Sequence, residues 1–107
     1  MIFRRRFGEL IDRQLDLFEQ DHEELLERAV DAEDEYRRAG RDESEEKFGE
    51  YQDVLAEGTE LLVALRDTYA ETLDERAASE YAAAFDFAVL RRLPQFALEL
   101  EPDEEDE

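Results

Sequence analysis

The sequence predicts an all-α protein: a long, coiled-coil-like antiparallel helical hairpin with a third, shorter helix packed at its open end. Two long segments repeat apolar residues in alternating steps of three and four, the spacing that places side chains on one stripe of a helix. Only Gly40 and Arg41 separate these segments, which predicts that the two helices run antiparallel. A third segment, residues 81–90, is apolar in nearly every direction.

The first helix is predicted at about residues 9–39. Gly40 follows it, at a position where helices often end on a glycine with positive φ. Arg37 and Arg38 lie in the last turn, where cations interact favourably with the helix dipole. Its apolar stripe comprises Ile11, Leu15, Phe18, His22, Leu25, Ala29, Ala32, Tyr36 and Ala39.

The second helix is predicted at about residues 42–73. Asp42, followed three residues later by Glu45, has the spacing of a capping box, which satisfies free amides at a helix start. Its apolar stripe comprises Phe48, Tyr51, Leu55, Gly58, Leu62, Leu65, Tyr69 and Thr72.

The third helix is predicted at about residues 76–92. Asp74 is placed to cap it, and Pro94 disfavours helical geometry at Leu93. We expect residues 95–101 to form a short irregular or extended segment that covers apolar surface. Residues 1–101 are predicted to form one domain, and the acidic residues 102–107 a disordered tail, because the tail has nothing to bury.

The charge of the chain limits its partners. The formal net charge is −20 over 107 residues, and such a field repels nucleic acids and anionic membranes. Genome composition, adaptation to a salty cytoplasm or a basic partner would each explain this acidity. No cysteine is present, and the longest apolar-rich run is far shorter than the roughly 20 residues that span a bilayer. We therefore expect a soluble, cytoplasmic protein that binds neither nucleic acid nor membrane.

The apolar third helix indicates a partner. A helix that is hydrophobic all round must be buried all round, and two helices of one short chain cover only one side. This predicts an interface with a second copy, or with another protein, made by Tyr81, Phe85, Phe87, Val89 and Leu90. The alternative is that residues 95–101 cover this helix within the same chain.

His22 is the one histidine, and it lies within the first apolar stripe. A hairpin centred on residues 40–41 sets it beside Gly58 and Thr59, so we interpret it as a packed core residue for which Gly58 leaves room. The alternative is a metal site, because Glu19 and His22 form the Glu-x-x-His pair used in ferritin-like di-iron bundles. Dimerisation would have to complete that site, since the second apolar stripe offers no inward carboxylate.

Catalytic motifs are not apparent in the sequence. The four glycines are isolated, so no phosphate-binding loop is predicted, and Ser44 and Ser79 lie in no nucleophile motif. Arg91 and Arg92 form a small basic spot that complements neighbouring carboxylates or receives the acidic tail. We expect a non-catalytic interaction or assembly protein without a cofactor, dimeric through its third helix. The alternatives are a metal-binding carboxylate bundle and an acidic mimic or chaperone of a basic protein.

Overall fold

A computed structural model describes the backbone of residues 2–96 and the side chains of residues 6–96. Within this range lie four long helices, α1 (Ile2–Asp21), α2 (Glu23–Arg38), α3 (Ser44–Ala70) and α4 (Glu75–Arg92), and no strand. The all-α class is therefore confirmed. The predicted acidic tail, together with most of the predicted irregular segment, lies outside the described residues. The described start of that segment is a helical turn at residues 94–96.

The first predicted helix is interrupted at His22, which separates α1 from α2. His22 has φ −122° and ψ 36°, outside the helical range. Its amide still donates to the Phe18 carbonyl at 2.9 Å, and its carbonyl accepts from the Leu26 amide at 3.0 Å. The hydrogen bonds thus bridge the interruption, and the change of direction is confined to one residue. The prediction of one continuous helix over residues 9–39 is wrong at this point.

α2 and α3 form the antiparallel hairpin. Near its middle the Arg28 guanidinium pairs with Glu57 at 3.0 Å, and near the loop the Tyr36 and Phe48 rings pack with centroids 5.1 Å apart. The predicted register would set Arg28 beside Asp53, so the pairing is displaced by about one turn. The cause is the loop, residues 39–43, which is longer than predicted.

Both predicted helix caps at this loop are wrong, although the helix ends lie within two residues of the predicted ones. Gly40 does not have positive φ, and the α2 C-cap is Ala39 in an extended conformation. α3 begins after Glu43, whose side chain makes no capping hydrogen bond, so Asp42 and Glu45 form no capping box.

α1 leaves the hairpin and α4 lies between α1 and α3. The Cα atoms of α1 and α3 stay more than 8 Å apart, whereas α4 packs on both helices. α4 runs parallel to α1, since Phe7 packs on Tyr81 and Glu19 meets Arg92 near the other end. The predicted hairpin is thus correct for α2 but not for α1. The physical reason is that an all-round apolar α4 is buried on two sides only when it separates its neighbours.

The observed ends of α4 agree with the predicted ones. The Asp74 carboxylate accepts a hydrogen bond from the Ala77 amide at 2.8 Å, which confirms the predicted cap. The helix ends at Arg92, before Pro94, with Leu93 outside helical geometry. The core where α1, α3 and α4 meet comprises Phe7, Ile11, Leu15, Phe18, Leu55, Leu62, Ala77, Tyr81, Ala84, Phe85, Val89, Leu93 and Phe96.

Candidate interaction surface

The two predicted metal ligands have other partners in the structure. The Glu19 carboxylate accepts from Arg92, with Nε to Oε2 at 3.1 Å. His22 is half-buried, and its ring packs on Phe18 with centroids 4.7 Å apart. Among the described residues, no group of three or more histidine, cysteine or acidic side chains is arranged to hold a metal ion. Glu19 therefore acts here as the partner of a guanidinium.

The side chain that packs against Gly58 is that of Phe96, and not that of His22 as predicted. A Cβ atom at Gly58 would lie 2.3 Å from Cε1 of Phe96, so the missing side chain makes room for that ring. The Thr59 hydroxyl donates to the Phe96 carbonyl at 3.4 Å. The interpretation of Gly58 and Thr59 as neighbours that accommodate His22 is corrected accordingly.

Arg92 joins the C-terminal end of α4 to the C-terminal half of α1. Its guanidinium pairs with both Asp16 and Glu19, and it also donates to the Asp12 carbonyl at 3.4 Å. The hydrogen bond to Asp16 is the main cause that raises the pKa of Arg92, while burial acts in the opposite direction. Arg92 thus complements neighbouring carboxylates, one of the two roles predicted for it.

The five predicted interface residues divide into two groups. Tyr81, Phe85 and Val89 are fully buried in the core of the chain itself, which corrects their assignment to an interface. Phe87 and Leu90 remain on the surface, with 41% and 53% of their area exposed. The helix is covered on two sides within the chain, and its outward side still carries large apolar residues.

A groove of about 500 Å³ runs between α1 and α4, beside Phe87. Small residues create it: a Cβ atom at Gly8 would meet nothing within 4 Å, and Ala84 and Ala88 lie one turn apart on α4. The Arg91 guanidinium lies over the Phe87 ring, 5.8 Å from its centroid, and borders the groove. We call this the α1–α4 groove; it is lined by Gly8, Ile11, Asp12, Ala84, Phe87, Ala88, Arg91 and Arg92.

The sequence did not reveal this groove. It requires α1 beside α4, whereas the periodicity of the first predicted helix pairs it with the second along its whole length. Gly8 was a usable signal, because a glycine inside a helix exposes backbone and opens space beside a neighbouring helix. Its significance depends on which helix packs beside α1, and helix periodicity does not specify that.

The surface around the groove differs in charge from the rest of the chain. Residues 77–98 contain two acidic and two basic residues, in a chain whose net charge is −20. Asp86, one of these acids, is paired with Arg66 of α3 at 2.9 Å. The outward side of α4 is therefore apolar and close to neutral.

Comparison with protein-family models, with curated protein sequences and with solved structures gave no match. No helix in the described part of the chain has the length and apolar character that crossing a membrane requires.

Proposed function

We propose that this chain is a small, non-catalytic cytoplasmic protein that assembles as a homodimer through the outward side of α4 and the α1–α4 groove. The observation that carries the proposal is the exposure of Phe87, which lines that groove, and of Leu90, three residues further along α4. Adjacent large apolar side chains on the surface of a small protein are typical of association sites.

Charge favours α4 over the rest of the surface as the place where two copies would meet. Two chains of net charge −20 repel each other, and this repulsion is weakest where the local charge is close to zero. The near-neutral segment of residues 77–98 contains both Phe87 and Leu90. A dimer formed there keeps α2, none of whose Cα atoms lies within 8 Å of α4, away from the contact.

The residues that line the groove are suited to binding a side chain of a partner rather than to catalysing a reaction. Ile11, Ala84 and Ala88 present apolar surface, and Arg91 and Asp12 provide charge at the border. Apolar contact with a charged border is the anatomy of a protein interface. This arrangement supports binding, and its lining residues offer no nucleophile paired with a base.

The test compares two matched charge insertions. Leu90→Glu inserts a carboxylate into the proposed interface. Val30→Glu inserts one into α2, where Val30 is 63% exposed and where no Cα atom lies within 8 Å of α4. Native mass spectrometry and sedimentation should find the unmodified protein and Val30→Glu dimeric. Leu90→Glu should raise the dimer dissociation constant by roughly tenfold or more, with unchanged helicity by circular dichroism.

The outcomes separate the candidate functions. A monomeric unmodified protein, or a Leu90→Glu protein that dimerises as tightly as Val30→Glu, would overturn the proposal. Two metal ions per dimer in the same spectra would support the ferritin-like alternative and make Glu19 and His22 the next residues to change. Phe85 is unsuitable for this test, because it is fully buried and a charge there would unfold the chain.

A further inference from the structure

The side of α4 that borders the groove is complementary to itself when reversed. Glu80, Ala84, Phe87 and Arg91 follow one another in steps of four, three and four, so they lie on one stripe of the helix. When the stripe is laid against a reversed copy of itself, Glu80 faces Arg91 and Ala84 faces Phe87. The midpoint of this symmetry lies between residues 85 and 86.

We propose that two copies pair their α4 helices antiparallel about a twofold axis at this midpoint. Phe87 of each copy then enters the α1–α4 groove of the other beside Ala84, and Arg91 of each copy meets Glu80 of the other. This inference rests on the proposed function and specifies its geometry. Such an interface is isologous, the form that twofold symmetry requires.

Space and exposure favour the fit of Phe87. The groove holds about 500 Å³ and is open at Gly8, where an added Cβ atom would meet nothing within 4 Å. Ala84 lines the groove although only 3% of its area is exposed, so it contributes a small residue to the floor of the groove. Because Phe87 borders the groove of its own copy, the two rings come close together across the axis, an arrangement that aromatic pairs favour.

Charge favours the antiparallel direction. In a parallel pair, Arg91 would meet Arg91 of the other copy and Glu80 would meet Glu80. Reversal replaces these like-charge contacts with two opposite-charge contacts and also opposes the two helix dipoles. Glu80 accepts from Arg6 of its own chain at 2.8 Å and keeps 37% of its side chain exposed, so a second guanidinium can approach it.

A charge-exchange experiment tests this register. Arg91→Glu alone and Glu80→Arg alone each create two like-charge contacts per dimer, and each should raise the dissociation constant by roughly tenfold or more. An equimolar mixture of the two variants restores both opposite-charge contacts, so it should form heterodimers about as tight as the unmodified dimer. Arg41→Glu, in the exposed hairpin loop, changes the net charge as Arg91→Glu does and should leave dimerisation unaffected.

Cysteine crosslinking gives a second measurement, since the natural chain contains no cysteine. In the proposed dimer the two copies of residue 80 lie about 16 Å apart, at about 1.5 Å of rise per residue. Glu80→Cys alone should therefore not form a disulfide, whereas a mixture of Glu80→Cys and Arg91→Cys should form covalent heterodimers. A parallel pair would crosslink each variant to itself.

The result for this inference is separable from that for the proposed function. A wild-type dimer whose single charge variants remain tight, or whose mixture fails to form heterodimers, overturns the antiparallel register and leaves the homodimer standing. A wild-type monomer removes both. Heterodimer recovery together with exclusive crosslinking between residues 80 and 91 establishes the register.

Discussion

The ring of Phe96 occupies the position next to Gly58 where any larger residue would place its side chain. A Cβ atom at Gly58 would lie 2.3 Å from Cε1 and 2.7 Å from Cζ of Phe96. Both residues are buried, and the Thr59 hydroxyl holds the Phe96 carbonyl at 3.4 Å. Residue 96, beyond the end of α4, is thus anchored on the middle of α3 by its ring and its backbone.

This relationship predicts that Gly58→Ala destabilises the protein. Replacing glycine by alanine inside a helix ordinarily gains roughly 0.5–1 kcal/mol. Here the added methyl group overlaps a fully buried ring that has little room to move, and overpacking of this kind typically costs about 1–3 kcal/mol. Urea unfolding followed by circular dichroism should show a lower midpoint than that of the unmodified protein.

Gly49→Ala is the matched control, since Gly49 lies in the same helix and a Cβ atom there meets nothing within 4 Å. It should stabilise the protein by roughly 0.5–1 kcal/mol. In a Phe96→Ala background the obstruction is gone, so Gly58→Ala should become neutral or stabilising. A Gly58→Ala protein as stable as Gly49→Ala would contradict the contact.

The sequence drew attention to Gly58 without revealing its partner. A glycine in mid-helix, on the apolar side, required an explanation, and the predicted register supplied His22. Two features outside the periodicity determine the actual neighbour. The longer loop displaces the pairing of α2 with α3, and Phe96 follows Pro94, beyond the end of α4. Helix periodicity predicts which side of a helix is buried, but not which distant residue covers it.

The two aspartates predicted as caps allow a paired test. The Asp74 carboxylate accepts from the Ala77 amide at 2.8 Å, whereas α3 begins after Glu43 and Asp42 caps nothing. Asp74→Ala should therefore cost roughly 1 kcal/mol, and Asp42→Ala should change the free energy of unfolding by much less. Chemical denaturation of both variants measures the difference. Equal losses would show that Asp74 has no specific capping role.

The two aspartates show that a local capping pattern in the sequence does not by itself determine where a helix begins. Asp42 and Asp74 both precede apolar helices at suitable spacing, and only one of them caps a helix. In α3 the start coincides with tertiary contacts, since Phe48 packs on Tyr36 and Lys47 pairs with Glu35. These contacts depend on the loop and on α2, which a local pattern does not describe.

The sequence predicts the bounds of α4 correctly but not its position in the fold. Its bounds and its need for burial on two sides followed from the sequence, because apolar residues surround it. The sequence does not predict that α4 lies between α1 and α3, where both helices cover it. The interruption at His22, which separates α1 from the hairpin, has no glycine or proline to mark it. The sequence therefore predicts an interface role for Tyr81, Phe85 and Val89, whereas they lie in the core.

Tyr81 predicts how stability changes at alkaline pH. Its phenol is fully buried and donates to Oε1 of Gln14 at 2.8 Å. Burial raises the pKa of Tyr81 from 10.0 to about 12. A group whose pKa is higher in the folded state contributes stability below its unfolded pKa and loses it as the pH rises through the folded pKa. The contribution of Tyr81 should therefore decline between about pH 10 and pH 12.

Tyr81→Phe isolates this contribution. The variant should lose about 1 kcal/mol near neutral pH, since it lacks the hydrogen bond to Gln14. It should also show a smaller fall in stability across the alkaline range than the unmodified protein. Urea unfolding at several pH values measures both effects. Parallel curves for the two proteins would show that Tyr81 ionises as it does in the unfolded chain.

Salt should strengthen the proposed homodimer. Each chain carries a net charge of −20, while the proposed contact at α4 is mainly apolar. Raising the ionic strength from about 0.01 M to 0.15 M shortens the Debye length from roughly 30 Å to 8 Å, so the repulsion between the two acidic chains falls. The pairs between Arg91 and Glu80 weaken as well, but they are few and lie at the border.

Sedimentation across this range should therefore show a falling dissociation constant, whereas a complex with a basic protein would dissociate as salt is added. A dimer that weakens steadily with salt would indicate that charge pairing, and not the apolar side of α4, holds it together.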